Sequence, residues 1–173
     1  ECLGAIMLRE RPPADVDPEA LVWCLCDGIR SEGLERLGWT PPARQLQARA
    51  AFVRRTFPEK EWPDVADAAL AAGLEDWLGP MLAGRKSLDE ASRVDLCEAL
   101  SAWLGARRVR ELERLAPSHV EVPSGSRIRL DYAAGETPAL AVRIQEVFGM
   151  QASPRVADGR VPVLLRLLSP AQR

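Results

Sequence analysis

A serine- and glycine-rich turn followed by two arginines is the stretch of this sequence whose residue types best fit a binding function; it contains Ser124, Gly125, Ser126, Arg127 and Arg129. A turn of this composition exposes backbone amides and hydroxyl groups, and both are common donors to phosphate oxygens. Arg127 and Arg129 are two residues apart, so on a strand their guanidinium groups share one face. These residues could therefore bind the phosphate backbone of a nucleic acid. A polar hairpin with solvated arginines is the alternative, and the residues alone leave it open.

A glycine loop of the kind that binds nucleotide phosphates is nearly matched at residues 79–87, which read Gly-Pro-Met-Leu-Ala-Gly-Arg-Lys-Ser. The match fails because Arg85 separates the second glycine from Lys86. It also fails because the segment follows a helical pattern, whereas a P-loop must follow a strand. The sequence predicts instead a helix end, followed by Ser87 as the cap of the next helix.

Metal and nucleophile chemistry has little support in the sequence. Cys24 and Cys26 lie close together on a predicted helix, but their side chains point apart by roughly 200° and cannot ligate one ion. Cys2 and Cys97 are expected as ordinary strand and core residues, and all the cysteines as reduced thiols in a cytoplasmic protein. His119 is the sole histidine, and its place at a helix-to-strand junction favours a structural residue over a catalytic one. We therefore predict no catalytic and no metal-binding residue.

The elements that must position the arginines change character at Pro117. Upstream, apolar residues recur at helical spacing between capping signals, which predicts an array of helices over residues 17–116. Asp17-Pro18 and Thr40-Pro41 each supply a cap and a proline for the start of a helix. Gly105 is expected to interrupt the last helical stretch. All five tryptophans lie in this half, where packing between helices is their expected role: Trp23, Trp39, Trp62, Trp77 and Trp103.

Strand patterns occupy the two ends of the chain. Residues 1–10 predict a single N-terminal strand without an obvious partner. Beyond Pro117 apolar and polar residues alternate around the serine-glycine turn, which predicts a hairpin. Thr137-Pro138 could start a short helix running through Phe148, and Asp158-Gly159 marks a second hairpin. The predicted fold is α+β: an N-terminal single strand, a helical array, and a small C-terminal module that contains β-hairpins.

The composition is that of a soluble globular domain, with 173 residues, 47% of them apolar and 28% charged, which excludes intrinsic disorder and collagen-like repetition. The formal net charge is −2, so there is no global sign of a nucleic-acid or acidic-membrane partner. Residues 1–116 carry 16 basic and 20 acidic side chains, while residues 117–173 carry 7 and 5. The small basic excess therefore lies in the β-rich part. No apolar run approaches the ~18 residues of a membrane span, so no membrane partner is expected.

Three segments of the β-rich part carry a family resemblance. They read LAPSHVEVPSGSRIRLDY over residues 115–132, LAVRIQEVFG over 140–149 and PRVADGRVPVLL over 154–165. Together they closely resemble the C-terminal region of bacterial HrpB-type ATP-dependent helicases, and the block around the serine-glycine turn is the most specific match. Shorter matches extend the resemblance over nearly the whole chain, at residues 3–5, 28–39, 43–46 and 74–78.

The resemblance implies a division of the chain. Such helicases resemble DEAH-type enzymes, with two RecA-like motor domains, then winged-helix, helical-bundle and OB-like domains, then a family-specific C-terminal module. Residues 1–16 would end the OB-like region, residues 17–116 would form a helical subdomain, and residues 117–173 would form a truncated β-rich module. ATP and Mg²⁺ would bind to the motor domains, because the P-loop, the Asp-Glu-x-His metal motif and the arginine fingers are absent from this sequence. This segment is expected to hold no cofactor and to be inactive alone.

Two functions are compatible with this reading. The first is an accessory region that assists nucleic-acid binding by the helicase or braces its motor, with single-stranded RNA or DNA and the protein's own helicase core as partners. The second is a protein-interaction or structural module that packs on the helicase core and touches no nucleic acid. The net charge of −4 over residues 1–116 supports the second. A wide apolar surface, combined with Arg127 and Arg129 paired to acids, would favour it further.

Overall fold

The structure, a computed structural model, describes residues 17–168 and, before them, the backbone pairing of two short strands. These strands are β1 (Cys2–Leu3) and β2 (Ile6–Met7), which pair antiparallel with Leu3 opposite Ile6. The expected single N-terminal strand is therefore wrong. The apolar run thus contains two paired strands rather than one, which the strand pattern alone did not reveal. The predicted OB-like end at residues 1–16 otherwise lies outside the described residues.

Helices fill the chain from Pro18 to Leu115, as the sequence predicts. The described helices are α1 (Pro18–Glu32), α2 (Pro41–Thr56), α3 (Asp67–Ala72), α4 (Leu74–Trp77), α5 (Gly79–Leu82), α6 (Leu88–Ala91) and α7 (Leu96–Leu115), with 3₁₀ turns at Leu34–Arg36 and Pro58–Lys60. The Asp17 carboxylate accepts a hydrogen bond from the Glu19 amide at 3.3 Å, and Thr40 Oγ1 accepts one from the Ala43 amide at 3.3 Å. Both predicted caps are confirmed. Each satisfies a backbone donor that a helix start leaves unpaired.

The helical core forms mainly where α2 meets α7. The buried face of α2 consists of residues three and four apart, continuing to Phe57: Leu46, Ala50, Val53 and Phe57. Trp62 and Trp77 are buried and Trp39 and Trp103 partly buried, which confirms packing as their role. Trp23 is an exception with 58% exposure, because it lies about 200° around α1 from the buried Leu25.

Gly105 divides α7 into two halves. Its φ of +79° and ψ of 153° are far from helical values, so the helix axis changes direction there. The predicted interruption at this glycine is confirmed. The first half carries Cys97 and Ser101, and the second half carries Val109 and Glu113.

A four-stranded sheet follows the helices. Its strands are β3 (His119–Glu121), β4 (Arg127–Asp131), β5 (Ala139–Arg143) and β8 (Leu164–Leu168), in the spatial order β3-β4-β5-β8. β3, β4 and β5 are antiparallel neighbours, while β8 runs parallel to β5. The chain segment that connects β5 to β8 contains a separate two-stranded antiparallel sheet, formed by β6 (Arg155–Val156) and β7 (Val161–Pro162). The first predicted hairpin is thus β3-β4. The second is β6-β7, shorter than expected.

The helix predicted from Thr137-Pro138 to Phe148 is wrong. Residues Ala139–Arg143 form strand β5 instead, and only Ile144–Val147 adopt a 3₁₀ turn. Leu140 and Val142 are fully buried while Ala141 between them is exposed, which is strand alternation. Pairing with strands on both sides outweighs the local Thr-Pro start signal, because a central strand gains two ladders of hydrogen bonds and a buried face.

The helices and the sheet share one buried cluster. It includes Leu112 and Leu115 from α7, Leu130 from β4 and Leu140 from β5. The fold is α+β, as predicted, with helices and strands segregated along the chain. The division into a helical subdomain over 17–116 and a β-rich module over 117–173 stays a prediction.

Candidate nucleic-acid interface and adjoining cleft

The serine-glycine turn is a three-residue hairpin loop. The Gly125 amide donates to the Val122 carbonyl at 2.8 Å, and the Val122 amide donates to the Ser126 carbonyl at 3.0 Å. Gly125 has φ +83°, the left-handed conformation in which such loops end and which glycine adopts without strain. The loop therefore sets the register of β3 against β4 and so fixes where the arginines of β4 point.

The turn presents hydroxyl groups more than free amides. The Gly125 amide is used inside the loop, and the Ser126 amide donates to Ser124 Oγ at 3.4 Å. Ser124 Oγ also lies 3.1 Å from Ser126 Oγ. The two hydroxyls thus form an exposed pair beside the strand. The amide contribution expected from the sequence is correspondingly smaller, since two of these donors are already bonded.

Arg127 and Arg129 are exposed on the same face of β4. Leu130 lies on the opposite face and is fully buried. Across the hairpin, Arg127 stands opposite Glu121 and Arg129 opposite His119. Within residues 17–168, neither guanidinium has a carboxylate oxygen within 4.0 Å. Arg129 makes one long contact, from Nη2 to the Pro41 carbonyl at 3.4 Å. Both charges remain available to a ligand.

Two further arginines share this face, and the sequence reasoning missed them. Asp131 pairs with Ala139, and Ala141 pairs with Arg166, so alternation places Arg143 and Arg166 on the face of Arg127 and Arg129. Both are exposed. The four residues are called the arginine face below: Arg127, Arg129, Arg143 and Arg166. Only the strand order could reveal it, because β5 and β8 are far apart in sequence.

A cleft of about 380 Å³ adjoins the arginine face at Arg129. It lies between α2, both halves of α7 and the start of the hairpin. Its lining is Pro42, Gln45, Leu46, Arg49, Cys97, Ser101, Val109, Glu113, Ser118, His119 and Arg129. His119 thus borders the cleft, with Nδ1 3.1 Å from Ser118 Oγ, which fits the structural role predicted for it.

Arg49 is buried at the wall of this cleft, with 7% exposure. Its Nε donates to the Ala116 carbonyl at 2.6 Å. Its Nη2 forms an ion pair with Glu113 Oε1 at 2.7 Å. The arginines of α2 are therefore not all solvated. Arg44 pairs with Asp67 and stacks on the Trp39 ring at 3.8 Å.

The remaining chemical candidates are structural. Cys26 is fully buried and Cys24 exposed, so the two thiols diverge as predicted; burial raises the pKa of Cys26 to about 11. Gly79 begins helix α5 rather than following a strand, and Ser87 Oγ accepts from the Glu90 amide at 3.2 Å as the cap of α6. Residues 79–87 therefore do not form a P-loop for a nucleoside triphosphate, and we assign them no part in ATP hydrolysis. In the part of the chain that the structure describes, no three potential ligands cluster for a metal ion.

Comparison with known proteins decides the family. A family model described as ATP-dependent helicase C-terminal, HrpB_C, matches residues 77–173, more than half of the chain. The chain belongs to the HrpB helicase C-terminal family. It is 41% identical over 171 residues to the ATP-dependent RNA helicase HrpB of Escherichia coli (strain K12), covering 99% of this chain and 21% of that protein.

Solved HrpB structures share the fold. A crystal structure of the E. coli DExH-box NTPase HrpB matches with a TM-score of 0.85 and 42% identity, over 96% of this chain and 20% of that one. A crystal structure of the Escherichia coli DEAH/RHA helicase HrpB matches with a TM-score of 0.82 and 39% identity, over 98% and 22%. The HrpB-type chain described here therefore spans about a fifth of the length of these relatives. None of its described helices is long and apolar enough to cross a membrane.

Proposed function

We propose that this HrpB-type region assists an ATP-dependent helicase by binding the phosphate backbone of single-stranded RNA or DNA. The contacts assigned to it are Ser124, Gly125, Ser126, Arg127 and Arg129 on the β3-β4 hairpin. ATP and Mg²⁺ act at motor domains elsewhere in the helicase, and this region contributes no catalytic residue. We expect this region to act in the cytoplasm, in line with the reduced thiols expected of its cysteines.

One observation carries this proposal: Arg127 and Arg129 are exposed side by side without a carboxylate partner among residues 17–168. Some other arginines of the described residues are paired with acids, as Arg30 is with Glu75. An unpaired guanidinium keeps its full charge and its five donors for phosphate oxygens. The four residues of the arginine face could neutralise several phosphates. Each phosphate that is neutralised releases counterions from the strand, which favours binding.

The test is fluorescence anisotropy of labelled single-stranded RNA and DNA with this chain over a salt series. If about three phosphates are neutralised, log K should fall with log salt at a slope near −2, from ~0.7 per contact on single strands. The double substitution Arg127→Ala, Arg129→Ala should reduce the slope by about 1.4 and weaken binding to both nucleic acids.

Lys86→Ala is the matched control, because it removes one exposed charge from the loop between α5 and α6. It should change neither the slope nor the affinity by more than a small general charge effect. A slope of zero for the wild-type chain, or equal binding by the double variant and the control, would contradict the proposed contacts.

A second candidate function is bracing of the helicase core, and an apolar surface favours it. At the β8 edge, opposite β3, exposed apolar side chains occur on both faces of β8 and in the turn after β5: Ile144, Phe148, Leu164, Leu167 and Leu168. Phe148 is 72% and Leu167 60% exposed. A patch of this kind marks a protein-interaction site. The other sign expected for a purely structural module, arginines paired to acids, is not met at Arg127 and Arg129.

The contacts assigned to nucleic acid lie on β3 and β4, whereas Leu167 lies on β8 and on the face opposite Arg166, so one substitution separates the two functions. Leu167→Asp should weaken association of this chain with helicase motor domains supplied in trans by about tenfold or more, as loss of an interface anchor does. Its effect on nucleic-acid binding by the isolated chain should be small. Lys86→Ala, which makes the same charge change of one unit in the helical part, is the control. Equal association of the Leu167→Asp and Lys86→Ala variants would exclude the β8 edge as the brace.

A further inference from the structure

One end of the four-stranded sheet brings exposed arginines and hydroxyl groups together. β3 ends and β4 begins at the serine-glycine turn, and β5, which is antiparallel to β4, ends on the same side with Arg143. Arg127 is the first residue of β4, and it shares the arginine face with Arg143. This end of the sheet is called the turn end below. It carries two exposed cations beside the hydroxyls of Ser124 and Ser126.

Phe148 lies at the turn end as well. It comes five residues after Arg143, and Ile144–Val147 between them form a 3₁₀ turn. At ~2.0 Å per residue, the Cα atoms of Arg143 and Phe148 are at most about 10 Å apart. Phe148 is 72% exposed, so its ring is left in water beside the arginines. A ligand with a flat apolar face would bury this ring and gain the free energy that the chain alone does not.

The surroundings of Phe148 differ from those of the other exposed aromatic side chain. Among the tryptophans, tyrosines and phenylalanines of residues 17–168, Trp23 and Phe148 are exposed. Glu19 and Asp27 lie four residues before and after Trp23 on α1, so they flank it on one helix face and would repel a phosphate. Phe148 instead lies near the two arginines of the turn end. Charge therefore favours a nucleic acid at Phe148 and not at Trp23.

Two carboxylates at the turn end limit where phosphates can lie. Glu121 stands opposite Arg127 across the hairpin. Glu146 accepts a hydrogen bond from the Arg143 backbone amide at 2.8 Å. Within residues 17–168, neither carboxylate is within 4.0 Å of a guanidinium nitrogen of these arginines. We therefore expect the phosphates on the β5 side of Arg127, away from Glu121 and toward Phe148.

We propose that Phe148 stacks on a base of a single strand whose phosphates contact Arg127 and Arg143. Proteins that bind single strands combine a basic surface that follows the backbone with aromatic rings on which bases stack. Every base has a flat face, so this contact tolerates any sequence but requires a base that is not stacked in a duplex. The inference rests on the proposed function and adds to it a base contact, Phe148, and a phosphate contact, Arg143.

A protein partner is the competing occupant, because Phe148 also belongs to the exposed apolar residues at the β8 edge. The observations favour a base. The neighbouring Ile144 and Leu168 are aliphatic and could serve a protein, but they offer no ring for stacking. Phe148 is the exposed ring that follows the arginine face directly. A protein anchor would be indifferent to bases, which makes the two occupants separable.

Fluorescence anisotropy of this chain with three labelled probes tests the proposal. The probes are a single strand, an abasic strand of the same length and a duplex of the same sequence, each made as RNA and as DNA. Phe148→Ala should weaken binding of the base-bearing single strand by about fivefold to 150-fold, the range measured for one stacked base. It should leave the salt slope near −2, because the ring carries no charge. Binding of the abasic strand and of the duplex should not change.

Three more variants complete the test. Phe148→Trp should retain the single-strand affinity, because it keeps an aromatic face. Trp23→Ala removes the other exposed ring and should have no effect, which makes it the matched control. Arg143→Ala should weaken binding of the base-bearing and abasic strands alike and reduce the salt slope by ~0.7. Phe148, Trp23 and Arg143 are exposed, so we expect all variants to fold, and thermal melting checks this.

The outcomes separate this inference from the proposed function. Equal single-strand affinities of Phe148→Ala and Trp23→Ala, at a wild-type slope near −2, would refute the stacking contact alone. An equal loss on the base-bearing and abasic strands in Phe148→Ala would also refute it. If Phe148→Ala weakens association with helicase motor domains in trans but not strand binding, the occupant is a protein and the inference is overturned. A zero slope for the wild-type chain would refute the hairpin contacts themselves.

Discussion

Gly105→Ala tests whether the break in α7 shapes the cleft. Gly105 has φ +79° and ψ 153°, in a region that residues with a Cβ essentially do not occupy. An added Cβ would meet no atom within 4 Å, so a steric clash contributes nothing. The expected cost is that of the backbone conformation alone, about 1–3 kcal/mol. For a chain of this size that lowers Tm by roughly 2–4 °C per kcal/mol, or about 2–12 °C in total.

Gly73→Ala is the matched control for this measurement. Gly73 has φ −105°, which alanine adopts, and its Cβ would lie 3.6 Å from the Ala69 carbonyl oxygen, an ordinary contact. The substitution should be neutral or should stabilise the chain by up to about 1 kcal/mol, since it restricts the unfolded state. Thermal melting and urea unfolding of both variants supply the comparison. If Gly105→Ala proves as stable as Gly73→Ala, the break is not held by the backbone preference of glycine and the reasoning fails.

Gly105→Ala should also alter the shape of the cleft. Cys97 and Ser101 precede the break, Val109 and Glu113 follow it, and all four line the cleft. An alanine that straightens α7 would move these two pairs relative to each other. The shape of the cleft should therefore change in Gly105→Ala, whereas strand binding at the hairpin should change little, because the hydrogen bonds of the turn around Gly125 lie within residues 122–126.

Local signals predicted the helices well and the middle of the sheet poorly. Asp17-Pro18 and Thr40-Pro41 mark helix starts through hydrogen bonds made within a few residues, and the structure contains those bonds. Strand β5 depends on partners from elsewhere in the chain: β4 on one side and β8, more than twenty residues later, on the other. Thr137-Pro138 is a local helix-start signal, and taken alone it predicts a helix. Long-range pairing, which no local pattern encodes, decided the outcome.

The candidate site shows the same limit. Arg127 and Arg129 could be recognised because a tight turn and period-two alternation put them on one face. Arg143 and Arg166 join that face only through the strand order. Arg49 lies on α2, yet the end of α7 covers it, and the carbonyl of Ala116 that accepts its Nε hydrogen bond lies 67 residues away in sequence. The cleft could therefore not be predicted from sequence spacing.

Three further predictions concern stability. Leu140→Ala, at a fully buried position of β5, should cost about 2–5 kcal/mol in urea unfolding. Tyr132→Phe should cost about 1 kcal/mol, because the Tyr132 hydroxyl donates to the Pro117 carbonyl at 2.9 Å in a buried setting. The hydrogen bond from Arg30 lowers the pKa of Glu75 from its ordinary value of 4.5, so in acid the unfolded chain binds more protons than the folded one. The stability from this pair is complete above pH 4.5 and is lost as the pH falls through the folded-state pKa. Glu75→Gln should therefore lower Tm at pH 7, and its difference from wild type should shrink toward pH 3. A difference that stays constant over this range would mean that the ionised carboxylate is not what joins α4 to α1.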